Sequence, residues 1–180
     1  MKTKDLLLIA FVPLALLLIP LVGSLTIDGW NWTASDFVLA WVIFAATTFA
    51  YRLLATRKGA NTAYRAGAAL AIAGGFLITW TNLAVQIIGD DNPGNLLYFV
   101  VILAGLIGVG VARFQAASLA KLALGMSLAI LAIPLLARLL WPADFDPGFA
   151  RVFILNSFFA ALFAGSGLLF RHAASRPLQA

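Results

Sequence analysis

The chain has no cysteine, no glutamate and a single histidine. Without cysteine there is no disulfide, no thiolate metal site and no cysteine nucleophile, and the redox compartment is left unmarked. One histidine, His172 beside Arg171, excludes bis-histidine haem within one chain and a histidine-rich metal site. Charge is scarce too: 11% of the 180 residues carry it, against about 25% in soluble domains. All seven acids are aspartates and none sits midway along an apolar run, which argues against a proton relay or a cation pump. No lysine lies inside such a run, so a retinal Schiff base has no attachment point. The serines have no His or Lys placed as a base, and no Walker or dinucleotide glycine motif occurs; the glycines of Gly105–Gly110 lie within an apolar run. No catalytic residue, metal site or cofactor is assigned.

What the chain does have is apolar length. Hydrophobic residues make up 63% of it, and its mean hydropathy is +1.00. Apolar runs cover about Leu6–Val22, Phe37–Ala55, Ala66–Gly89, Leu96–Ala112, Leu122–Leu140 and Val152–Phe170. Each is close to the ~20 residues that cross a ~30 Å hydrocarbon core as a helix. In lipid only helices or closed barrels satisfy the backbone, and barrel strands alternate apolar with polar residues in short segments, which these runs do not. The pattern predicts one all-α transmembrane domain over residues 1–180. Six spanning helices form it, paired in sequence as three helical hairpins.

Charge placement orients it. Lys2, Lys4, Arg52, Arg57, Lys58, Arg65, Arg113, Lys121, Arg171 and Arg176 fall on one side, and only Arg138 and Arg151 on the other. Asp5 is the sole acid on the basic side; Asp28, Asp36, Asp90, Asp91, Asp144 and Asp146 lie opposite. The positive-inside rule then places both termini in the cytoplasm. The basic loops meet anionic lipid headgroups, and this placement argues against nucleic acid as the partner of a +5 chain. Trp30, Trp32 and Trp141 suit an interfacial belt. Met1–Ser24 admits a second reading, a signal peptide cleaved after a basic start and an apolar run. The length of the run and Asp5 favour a retained helix.

The loops are short. Thr33 with Asp36 three residues on resembles a capping box for the second span. In the third outer loop, Trp141–Arg151, Pro142, Pro147 and Gly148 predict irregular backbone. Asn92-Pro93 reads either as N-cap and N1 of the fourth span or, as Pro93-Gly94, as the centre of a type II turn. Small residues recur every four positions in Gly67/Ala71/Gly75, Ala104/Gly108/Ala112 and Gly125/Ala129, and Ala160, Ala164 and Gly167 share a face with Asn156. Such ladders let helix backbones approach closely, within the bundle or toward a second copy or another membrane protein.

One stretch stands apart, Ile78–Asn95, where amides lie inside an apolar run and meet acids and a turn. At about 100° per residue, Thr79, Asn82, Gln86 and Asp90 fall within an arc of roughly 80°. Leu70, Leu77, Ala84 and Ile88 fall opposite and are expected to face lipid. Arg138 on the fifth span and Asn156, about one and a half turns below Arg151 on the sixth, lie toward the same side of the membrane. Polar groups at membrane depth point to function by default. Asn82, Gln86, Asp90, Arg138 and Asn156 are therefore the candidate ligand-binding residues, with Arg138 or Arg151 pairing Asp90 or Asp91. The competing reading is interhelical glue, worth ~0.6 kcal/mol per bond. The expected function is accordingly a non-enzymatic membrane interaction or accessory module, and the alternative is a small-solute or ion carrier with an outward polar site.

The run Trp80-x-Asn82-x-Ala84-Val85-x-Ile87-Ile88-Gly89-x-x-Asn92-Pro93-x-Asn95 resembles a segment of small bacterial multi-pass inner-membrane proteins without an assigned activity. Tyr98-Phe99, Ala112-Arg113-Phe114 and Asn156-x-Phe158-Phe159-Ala160-Ala161 are similar as well. The resemblance implies a bacterial inner membrane and transfers no site residue. Where such a segment leads one to expect glycine, this chain has Gln86.

Overall fold

The structure, a computed structural model, describes residues 3–57, 59–90, 92–142 and 148–175. Lys2, Lys58, Asp91, Asp144, Asp146 and Arg176 of the charge pattern, Pro147, and the side chain of Lys4 lie outside the described residues. Those described form six α-helices and no strand. The helices are α1 (Thr3–Thr26), α2 (Ala34–Ala55), α3 (Thr62–Val85), α4 (Asn95–Val111), α5 (Ala116–Leu140) and α6 (Phe149–Ser175). By length and composition, all but α4 are long and apolar enough to cross a membrane; α4 is apolar but has 17 residues.

Two compact units divide the chain, Met1–Thr56 and Arg57–Ala180. In the first, α1 packs on α2. The Asp36 carboxylate accepts a hydrogen bond from the Thr33 backbone N–H at 2.7 Å, which satisfies a donor ahead of α2 and places negative charge at its N-terminus. At the far end of α2 the Arg52 guanidinium pairs with Asp5 of α1. The lone acid of the basic side is thus buried, 6% exposed, against a cation.

In the second unit α6 packs along both α5 and α3, and α4 lies against α5 and α3. The α3–α6 contact has a regular basis. Gly67 and Gly74 of α3 sit under the rings of Phe170 and Phe163 of α6. Both pairs are seven residues apart, two turns of helix, so small positions on one helix receive aromatic rings from the other as the two run in opposite directions. Ser166 Oγ donates to the Gly67 carbonyl at 2.7 Å in the same contact. Ser127 Oγ does likewise to Ala160 O at 2.8 Å, joining α5 to α6. Gly75, the third rung of the ladder read from the sequence, faces α4 instead, with Ile102 the nearest side chain.

Asn61 caps α3, its side chain accepting from Tyr64 N–H at 2.9 Å. The same end of the unit is tied together by three further bonds. Arg57 donates to Arg113 O (2.7 Å), Tyr64 Oη to Phe114 O (3.0 Å) and Asn61 Nδ2 to Ala173 O (3.4 Å). These join the start of α3 to the α4–α5 turn, where Arg113 and Phe114 take positive φ, and to the end of α6.

Candidate functional site

The amide-bearing stretch does not stay helical. The apolar run continues to Gly89, yet α3 ends at Val85 and Gln86 turns to φ 46°. The cause lies one turn back. Asn82 Oδ1 accepts from the Ile87 N–H at 3.4 Å, offering that donor an alternative to the next helical carbonyl. Gln86 and Asp90 therefore leave the face that Thr79 and Asn82 share. Thr79 itself bonds back to Gly75 O at 2.8 Å. The change also reverses the expected placement of Ile88. It is not lipid-facing but fully buried at 0% exposure, beside Ile87 at 4%, because the chain folds back into the bundle after Gln86.

Buried backbone that leaves a helix must find other partners for its N–H and C=O groups, and here side-chain amides supply them. Asn82 Nδ2 donates to Asn95 O at 3.0 Å. Asn95 Oδ1 accepts from Ile88 N–H at 3.1 Å, and its Nδ2 donates to Gly89 O at 2.8 Å and to Gln86 Oε1 at 3.4 Å. Asn92 Oδ1 accepts from Gly94 N–H at 2.8 Å, so Asn92 caps the turn that leads into α4. Gly94 has φ −58°, which excludes the type II alternative, since that turn needs positive φ there. Asn82, Asn92 and Asn95 are all buried.

A second amide lies apart from this knot. Asn156 is 0% exposed and Tyr98 1%. The Tyr98 hydroxyl donates to Asn156 Oδ1 at 3.1 Å and accepts from its Nδ2 at 2.8 Å, and that Nδ2 also donates to Val152 O at 2.8 Å. The tyrosine thus links α4 to α6 by a buried polar bridge. Arg138 is exposed and donates to Pro142 O at 2.6 Å, closing the end of its own helix. Asp90 is exposed, and neither it nor Arg151 forms an ion pair among the described residues; Asp91 lies outside them. The structure therefore brings together Asn82 and Gln86, the latter through Asn95, and ties Asn156 to Tyr98. Arg138 is bonded within its own helix end.

No protein-family model, curated protein or solved structure matches the chain.

The site is accordingly read from its own geometry. Among the described residues, the only buried side-chain nitrogen or oxygen without a hydrogen-bond partner is Arg52 Nε; no amide of the cluster is left over. No group of three or more potential metal ligands occurs among the same residues. Sequence reading named Asn82, Gln86 and Asn156 but missed the partners that complete them, Asn95 and Tyr98. Asn95 carried a signal, since it closes the same Asn-Pro-x-Asn turn; Tyr98 carried none beyond an aromatic in an apolar run.

Proposed function

We propose that the chain is a non-enzymatic protein of a bacterial inner membrane, crossing it six times in three helical hairpins with both termini cytoplasmic. Its work is association, with a second copy or another membrane protein, and its basic end meets anionic headgroups. The observation that carries this reading is the closure of the amides: Asn82, Asn95 and Asn156 spend their hydrogen bonds on the protein itself. A carrier needs polar groups that a solute can reach. Support for association comes from small residues on open surface, since a Cβ added at Gly110 or Gly125 would meet nothing within 4 Å.

Cysteine labelling tests the reading, because the chain has no native cysteine. Ala137→Cys introduces a thiol beside Gly94 at a position 0% exposed without removing an amide, and Asn82→Cys replaces the amide itself. Both are expected to resist a membrane-impermeant thiol reagent in intact cells, while Asp90→Cys labels. Labelling at both 82 and 137 means that water enters the cluster from outside and replaces this reading with the carrier.

A further inference from the structure

We propose that the turn joining α1 to α2 is a binding site for an organic ammonium ion, framed by Trp30, Trp32 and Asp28. Residues Ile27, Asp28, Gly29, Trp30, Asn31 and Trp32 line an open hollow. The two indoles have centroids 6.4 Å apart and planes inclined at 44°. Each packs against a different helix. Beneath the Trp30 ring lies Gly23 of α1, where an added Cβ would stand 3.1 Å from each of the indole carbons Cδ2, Cε2 and Cε3. Three equal distances mean that the glycine underlies the ring face. Trp32 meets Phe37 of α2 edge-to-face, at 5.3 Å and 71°.

The turn itself is fixed by bonds from Ile27 N–H to Gly23 O at 2.9 Å and from Trp30 N–H to Ile27 O at 3.2 Å. Gly29 takes φ +87°, a conformation that glycine adopts without strain. Asp28 lines the same hollow and forms no ion pair among the described residues. An indole face carries negative quadrupole density and attracts a cation placed over it, tryptophan most strongly of the aromatic residues. A carboxylate at the rim selects positive charge over a neutral group of equal size and repels anions. Tryptophans of an interfacial belt need only reach headgroup depth; they need neither a glycine beneath the ring, nor a second ring, nor an acid. The ligand chemistry is an alkylated or primary ammonium, carried by a lipid headgroup or by a free amine.

The test uses the full chain purified in a maltoside detergent, which has no ammonium group. Tetramethylammonium chloride replaces sodium chloride at constant ionic strength while tryptophan fluorescence is read. A saturable change is expected, with half-saturation in the ~millimolar range, and none with tert-butanol, a neutral group of similar size. Asp28→Asn is expected to weaken binding about threefold, and Gly23→Val, which lifts the Trp30 ring, about fivefold. Because Gly23→Val is also a packing change, helicity is checked by circular dichroism and Asp28→Asn stands as the second variant. A response that does not saturate, that tert-butanol reproduces, or that Asp28→Asn leaves unchanged overturns the proposal. Repeating the titration in nanodiscs separates the sources. Weaker apparent binding in phosphatidylethanolamine or phosphatidylcholine than in an uncharged galactosyl diacylglycerol, which has no ammonium and no surface charge to concentrate the probe, identifies a lipid headgroup as occupant. Saturable binding of equal strength in all three identifies a free amine. Loss of saturable binding in all three overturns the site.

Discussion

Asn82 and Asn95 show what an amide does in an apolar helix when backbone is nearby. Between them they serve Ile87 N–H, Ile88 N–H, Gly89 C=O and Asn95 C=O, groups that lipid would leave unpaired. Each buried donor or acceptor left alone costs about 1–3 kcal/mol. Asn82→Ala strands Ile87 N–H and Asn95 C=O and is expected to lower stability by about 2 kcal/mol, read from chemical or thermal unfolding in detergent. Gln86→Gly should act the other way. Its φ of 46° costs a residue with a Cβ about 1 kcal/mol, and the bond that its Oε1 accepts from Asn95 Nδ2 is long, at 3.4 Å. The same assay should show Gln86→Gly as stable as the parent or more so by up to about 1 kcal/mol, and a loss above that figure refutes the strain. The glycine that the resembling segment leads one to expect at this position has the same physical rationale. Tyr98 and Asn156 form the other amide contact. Tyr98→Phe leaves a buried amide short of a partner, at about 1–3 kcal/mol. Asn156→Leu on top of it should cost less than the sum of the two single changes, because the groups share one interaction; strict additivity removes the bridge from the account.

Helices in this chain are told apart by which glycines have neighbours. Gly67 lies against the Phe170 ring and Ser166 O, whereas Gly125 on α5 opens onto empty space. Leucine is a better helix former than glycine by about 0.5–1 kcal/mol in either helix, so propensity alone predicts the same gain twice. Packing predicts opposite signs. Gly67→Leu forces α3 away from α6 and is expected to destabilise by at least about 1–3 kcal/mol, visible as a lower unfolding midpoint. Gly125→Leu should leave the midpoint unchanged or raised. If the open face of α5 is where a partner seats, the same variant loses association, which in-cell crosslinking at neighbouring positions reads directly. An unfolded Gly125→Leu refutes the open face.

In the larger unit charge is sorted by end. Arg57, Arg113 and the start of α3 are bonded to one another and to the end of α6, and Arg65, Lys121 and Arg171 belong to the helix ends gathered there. All are exposed, and none has an ion-pair partner among the described residues. At the other ends of the helices Asp90 is accompanied by Arg138 and Arg151. Unpaired cations resist translocation and stay on the cytoplasmic face. A thiol at Gly59→Cys should therefore label with an impermeant reagent only after the cells are permeabilised, and one at Asp90→Cys without permeabilisation; the reverse pattern inverts the topology.

Helical class, the approximate position of every helix and the segregation of charge were legible in the residues, because each depends on local chemistry. An apolar run of about 20 residues has few ways to satisfy its backbone, and lysine or arginine counts need no partner to be read. The capping of α2 by Thr33 and Asp36 was legible for the same reason, since its atoms lie three residues apart. The amides were visible, but their office was not. Whether Asn82 faces a solute or Asn95 depends on α3 stopping at Val85, where Asn82 takes the Ile87 N–H, and on the chain then folding back so that Asn82 meets the carbonyl of a residue thirteen positions away. Tyr98 and Asn156, fifty-eight positions apart, meet only because α4 and α6 are both packed against their neighbours. The ladder Gly67/Ala71/Gly75 was read as one face, and tertiary packing split it between α6 and α4. Periodicity places a residue on a helix face; only the neighbours decide what that face touches, because in lipid helices associate through close packing and interhelical hydrogen bonds rather than through hydrophobic burial.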